Sequence, residues 1–140
     1  MKKWLYPAVF LAAAILSRLP HPAVDIARLD PVRAIYLYMD GDAMTIETDS
    51  GDSGTGADLE AAYTALRANA DREIFLDTAE YLILDPDVPI TEAFYELLRP
   101  TTQVVFSNKK PNLETISDYL TIHPLDLTLA KLRATNSAFR

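Results

Sequence analysis

The chain has 140 residues and a mass of 15.6 kDa, room for one domain, and its 49% apolar and 24% charged content is that of a globular protein. It contains no cysteine, which excludes disulfide frameworks, thiolate zinc sites, iron–sulfur clusters and cysteine nucleophiles. With 13 basic and 20 acidic residues the net charge is −7, which argues against nucleic acid or any other polyanion as a partner.

Lys2 and Lys3 precede an uncharged, mostly apolar run over residues 4–17. A basic start followed by an apolar stretch of about 7–15 residues is the pattern of an export signal. The run is short of the roughly 20 residues that a spanning helix needs, and Pro7 interrupts it. Residues 1–24 are therefore expected to be an export signal or an amino-terminal membrane anchor, with cleavage left open. The competing reading is a buried core helix. Leu19-Pro20-His21-Pro22 is a stiff linker, and residues 25–140 are expected to form a single α/β domain. Without Lys2, Lys3 and Arg18 that part carries 10 basic against 20 acidic residues, a net of −10, and repels anionic surfaces.

Residues 34–39 are β-prone and aromatic, Asp40-Gly41-Asp42 follows, and residues 43–48 alternate. Two β-runs around Asp-Gly predict a hairpin. Residues 49–56 hold three of the four glycines and are expected to be a loop leading into a helix. The stripe Leu59, Ala62, Tyr63 and Leu66 predicts that helix, with Thr55 as its cap and Asp58 in an acidic first turn. A buried strand is expected from Ile74-Phe75-Leu76 toward Tyr81-Leu82-Ile83-Leu84. Pro89 opens a second helix with Ile90, Ala93, Phe94 and Leu97 inward, and Arg99-Pro100 ends it. Residues 102–106 form the next strand, Asn112 caps a helix through Leu113, Ile116 and Leu120, and a last helix carries Leu125, Leu129 and Leu132. The predicted order is β-β-α-β-α-β-α-α. It describes an α+β or α/β fold, with a mixed sheet of about four strands packed by three to four helices.

The acidic, glycine-rich segment attracts several catalytic readings. Gly51-Asp52-Ser53-Gly54 is similar to the nucleophile segment of chymotrypsin-like proteases, but the only upstream histidine is His21, in the export flank. Asp52-Ser53-Gly54 and Asp77-Thr78 look like aspartic-protease signatures. Asp77 is followed by Thr78-Ala79 with no glycine, and no apolar strand leads into Asp52. Gly51 and Gly56 have a phosphate-loop gap, but Ala57-Asp58 stands where Lys-Ser/Thr is required. Asp49, Gly54 and Glu60 match three places of an EF-hand loop whose other ligand places hold Gly51 and Ser53. A looser calcium site from Asp49, Asp52 and Asp58 stays open, beside the plain reading of a solvated connection. His21 and His123 make no zinc spacing, and Asp77 and Glu80 read as cap or edge charges. Tyr36 and Tyr38 read as core and rim packing, with a partner surface as the alternative. No complete set of catalytic, cofactor-binding or metal-binding residues emerges, which leaves binding or structure. The alternative is an Asp/Ser-loop hydrolase or calcium-binding protein centred on residues 49–60, drawing on Asp49, Asp52, Ser53 and Asp77.

Several segments together resemble the amino-terminal domain of the C subunit of spore-germinant receptors, the Ger(x)C family. They are Gly56-Ala57-Asp58-Leu59-Glu60-Ala61, Ala65-Leu66-Arg67, Ile74-Phe75-Leu76, Leu97-Leu98-Arg99-Pro100 and Gln103-Val104-Val105-Phe106. The resemblance spans roughly residues 35–132. Two family features are absent here, the acylated cysteine and the Trp-Asp segment after it, and family members are much longer. The resemblance implies an extracytoplasmic, membrane-tethered, non-enzymatic domain. Together with the basic-apolar start and the absence of a complete site, it leads to the expectation of a domain without a cofactor that binds a protein partner in the cell envelope.

Overall fold

The computed structural model describes residues 31–138; the expected export segment and the linker after it lie outside the described residues. Strand β1 (Ala34–Asp40) turns through Gly41-Asp42 into β2 (Ala43–Thr48), with Asp40 paired to Ala43. Gly41 has a φ of 64° and among the described residues no non-glycine has a positive φ, so the turn is of the II′ kind, whose twist suits antiparallel strands. A second tight turn leads to β3 (Ser53–Gly56), antiparallel to β2. Helix α1 (Leu59–Asn69) follows, then a 3₁₀ turn (Leu76–Thr78) and β4 (Tyr81–Leu84), which returns parallel to β1. Helix α2 (Glu92–Leu97) connects to β5 (Gln103–Phe106), parallel to β4. Helices α3 (Leu113–Ile122) and α4 (Leu129–Ala138) complete the described chain.

The sheet order is β3-β2-β1-β4-β5, a mixed sheet with α-helices on both sides. The α+β expectation holds, with five strands in place of about four. The extra strand is β3, which occupies part of the segment expected to be a loop.

Strand alternation sorts the side chains into two cores. On one face Ile35, Leu37, Ile46, Leu82, Leu84 and Val104 pack against Leu59, Ala62 and Leu66 of α1, Phe94 of α2 and Leu129 of α4. On the other, Ala34, Tyr36, Tyr81 and Ile83 pack against Leu113 and Leu120 of α3. Each fully buried Leu, Ile or Phe contributes about 1.5–3 kcal/mol of transfer free energy, so the first face dominates stability. Arg33 fixes α3 to the second face: its guanidinium donates to Thr121 Oγ1 at 2.9 Å and lies 3.6 Å from Asp118.

Three local expectations are corrected. The strand expected from Ile74 starts only at Tyr81; Ile74 and Leu76 are buried around an exposed Phe75, an alternation that imitates a strand but ends in a 3₁₀ turn. Helix α2 begins at Glu92 with Thr91 as its N-cap, so Pro89 and Ile90 precede it. The last helix begins at Leu129, because residues 125–128 cover the edge of β5. There Val104 N–H donates to Leu127 O at 2.9 Å, and Leu125 N–H donates to Gln103 Oε1 at 2.7 Å.

Candidate functional site

The segment that carried most of the sequence-based site readings is built into the sheet. Thr48 N–H donates to Asp52 O at 2.9 Å and Gly51 N–H to Thr48 O at 3.0 Å, closing a tight turn in which Gly51 has a φ of 89°. Glycine is needed there for its backbone freedom. Gly54 and Gly56 serve a different end. A Cβ on Gly54 would stand 2.2 Å from Leu66 N, and one on Gly56 would stand 2.4 Å from Ala62 N. Strand β3 and helix α1 touch backbone to backbone, and only glycine fits between them.

The polar groups of this segment have structural partners. The Asp49 carboxylate accepts the Arg33 backbone N–H at 3.2 and 3.3 Å, tying the β2–β3 turn to the start of β1. Asp52 Oδ2 is buried 3.7 Å from the Arg72 guanidinium. Thr55 Oγ1 shares a 2.9 Å hydrogen bond with Thr45 Oγ1. The cap of α1 is Asp58 and not Thr55: Asp58 Oδ1 accepts from Ala61 N at 2.8 Å. Ser53 lies exposed at the start of β3, and its carbonyl accepts from Asn69 Nδ2 at 3.2 Å. Among the described residues no base is hydrogen-bonded to the Ser53 hydroxyl, and no group of three or more His, Asp or Glu side chains could hold a metal ion.

The remaining candidates are dispersed. Asp77 sits exposed in the 3₁₀ turn, and Glu80 faces Arg33 across 4.0 Å just before β4. His123 ends α3, where its ring lies 4.5 Å from that of Tyr119. His21 lies outside the described residues.

Tyr36 and Tyr38 are core and rim. Tyr36 is buried and its ring stacks on Tyr38 at 5.1 Å, while the Tyr38 hydroxyl donates to Glu47 Oε1 at 3.0 Å. Lys110 Nζ completes the group at 2.7 Å from Glu47 Oε2. Burial raises both phenol pKa values above 10, helped at Tyr36 by the Asp85 charge and at Tyr38 by its bond to Glu47. The Glu47 carboxylate raises Lys110 in turn. These groups are held in their uncharged phenol and charged ammonium forms, a stabilising arrangement rather than a poised acid or base.

Two surfaces had no part in the sequence-based site readings. Tyr119 and Ile122 on the outer side of α3 are 59% and 76% exposed. Ile122 stands opposite the buried Leu113 and Leu120, and Tyr119 flanks them, so the apolar surface of α3 extends beyond its core face, a signal present in the sequence. The other is a cleft between α2 and α4, formed by residues distant in the chain, so no local pattern announced it. Among the described residues no helix is long and apolar enough to cross a membrane. Compared with known proteins, the chain matches no family model, no curated protein and no solved structure.

Proposed function

We propose that this chain is a non-enzymatic, exported binding domain that engages a protein partner in the cell envelope, delivered or tethered by residues 1–24. One observation carries the reading. Asp49, Asp52, Thr55 and Asp58 of the acidic segment are bound to Arg33, Arg72, Thr45 and the amino terminus of α1, and Ser53 has no base beside it among the described residues, while large apolar side chains stand open to solvent on α3. Exposed aromatic and aliphatic groups on a rigid helix suit recognition. The resemblance of residues 35–132 to the first domain of the Ger(x)C family supports the same reading, since it implies a tethered extracytoplasmic module.

The test is site-specific photo-crosslinking of the full chain in intact cells of its own host, with the reactive group at Ile122. A single cross-linked envelope protein is expected, lost when Tyr119→Asp is combined with the probe. Cross-links to no protein, with the chain monodisperse in membrane extracts, would contradict the proposal.

A further inference from the structure

Helix α4 is anchored through its first turn. Leu129 N–H donates to Thr102 O at 2.9 Å, Ala130 N–H donates to Pro100 O at 3.0 Å, and the Leu129 side chain is buried. From Arg133 onward the described residues of α4 are all exposed, so the helix leans over α2 without closing on it. Two adjoining hollows result. The larger, about 350 Å³, is walled by Leu98 and Pro100 after α2 and by Leu129, Ala130 and Ala134 of α4. The smaller, about 260 Å³, is bordered by Thr91, Glu92 and Asn136. Tyr95, Arg133 and Ser137 line both, between an apolar end and a polar one, and the Ser137 hydroxyl is spent on Arg133 O at 2.7 Å. The larger hollow falls within the range of about 300–1,000 Å³ usual for small-molecule sites, and its makeup, apolar walls with a few polar groups at one end, is theirs too.

The geometry points to a binding site here for a small neutral molecule with an apolar body and one hydrogen-bond acceptor, such as an alcohol, ketone or amide. Charge selects against ions. Arg133 donates to Glu92 Oε1, so the polar end holds one positive and one negative group. A carboxylate entering it meets Glu92, and an ammonium meets Arg133. Donors are nevertheless in surplus. The guanidinium has five N–H groups and lies over the Tyr95 ring, 5.0 Å from its centroid. The Tyr95 hydroxyl is shielded from solvent and makes no hydrogen bond. An unmade hydrogen bond at a shielded hydroxyl is costly, so an acceptor that displaces the groups around it and takes up that bond is favoured over bare hydrocarbon. This site is on the face opposite α3 and stands or falls independently of the partner surface.

The test is an amide NMR titration of the full chain with benzyl alcohol, run beside phenylacetate, phenethylamine and toluene. Saturable shifts confined to Tyr95, Leu98, Ala130 and Ala134 are expected for benzyl alcohol, with the two ions at least about 10-fold weaker. Ala134→Trp, which fills the apolar end at an exposed position, should weaken benzyl alcohol by a similar factor and leave the α3 amides in place. Tyr95→Phe should weaken benzyl alcohol and leave toluene unchanged. Unsaturable or scattered shifts, binding indifferent to Ala134→Trp, or an ion binding as well as the alcohol would overturn the proposal.

Discussion

Replacing Gly54 with alanine probes the contact that turns the acidic segment from a loop into a strand. The added methyl carbon stands 2.2 Å from the Leu66 nitrogen and 2.4 Å from the Ala62 carbonyl oxygen. Both are main-chain atoms within α1 and cannot swing aside as the tip of a side chain would. Relief requires β3 and α1 to part by about 1 Å, and a gap of that size forfeits about a quarter to a half of each dispersion contact across the seam. Overpacking costs about 1–3 kcal/mol where side chains can yield; here the backbone must, so a loss of about 3 kcal/mol or more is expected. Against a total stability of about 5–15 kcal/mol that is a large share. Gly51→Ala is the control. Its Cβ meets nothing within 4 Å and its φ is 89°, so only left-handed strain of about 1–2 kcal/mol applies. Urea denaturation of the two variants, read by circular dichroism, gives both values. If Gly54→Ala costs no more than Gly51→Ala, β3 is not packed on α1 and the segment is the free loop that composition suggests.

Other outcomes follow from the same contacts. Asp58→Ala removes the cap of α1 and should cost about 1 kcal/mol in urea denaturation, whereas Asp58→Asn, which can still accept from Ala61 N, should cost only a few tenths. Because the folded-state pKa values of Tyr36 and Tyr38 lie above those of the unfolded chain, their contribution is fully present below about pH 10 and is lost as pH rises through the raised values. Denaturation midpoints measured from neutral to strongly alkaline pH should fall in that upper window, and a flat profile would contradict the burial of this pair. Millimolar calcium should leave the melting temperature unchanged, since Asp49, Asp52 and Asp58 are engaged with Arg33, Arg72 and the start of α1. A rise of several degrees would restore a metal site in this segment.

The parts of the fold that sequence revealed are those set by local physics. Asp40-Gly41-Asp42 announced the hairpin because a two-residue turn with positive φ needs glycine, and Asn112 announced α3 because its side chain caps Thr115 N at 3.1 Å. The stripe Leu59, Ala62 and Leu66 became the buried face of α1. Strand β3 was hidden because its sequence, Ser-Gly-Thr-Gly, reads as turn material. Its glycines answer to α1, not to a turn, and nothing local distinguishes the two uses. The same holds for residues 125–128, whose role is set by the exposed edge of β5. The acidic segment was ambiguous for a related reason. Asp49, Asp52 and Asp58 look like ligands when counted along the chain, yet each answers to a separate structural need. The cleft between α2 and α4 depends on chain segments some forty residues apart meeting across one face of the sheet, as the Arg133–Glu92 pair shows.

The most direct measurement of the whole account is the compartment the chain reaches. A reporter enzyme that matures only under oxidising conditions, fused after Arg140 of the full sequence, should be active in cells, and its activity should disappear when residues 1–24 are removed. A reporter that stays inactive behind the intact sequence, with the fusion recovered in the cytosolic fraction, would contradict an exported binding domain.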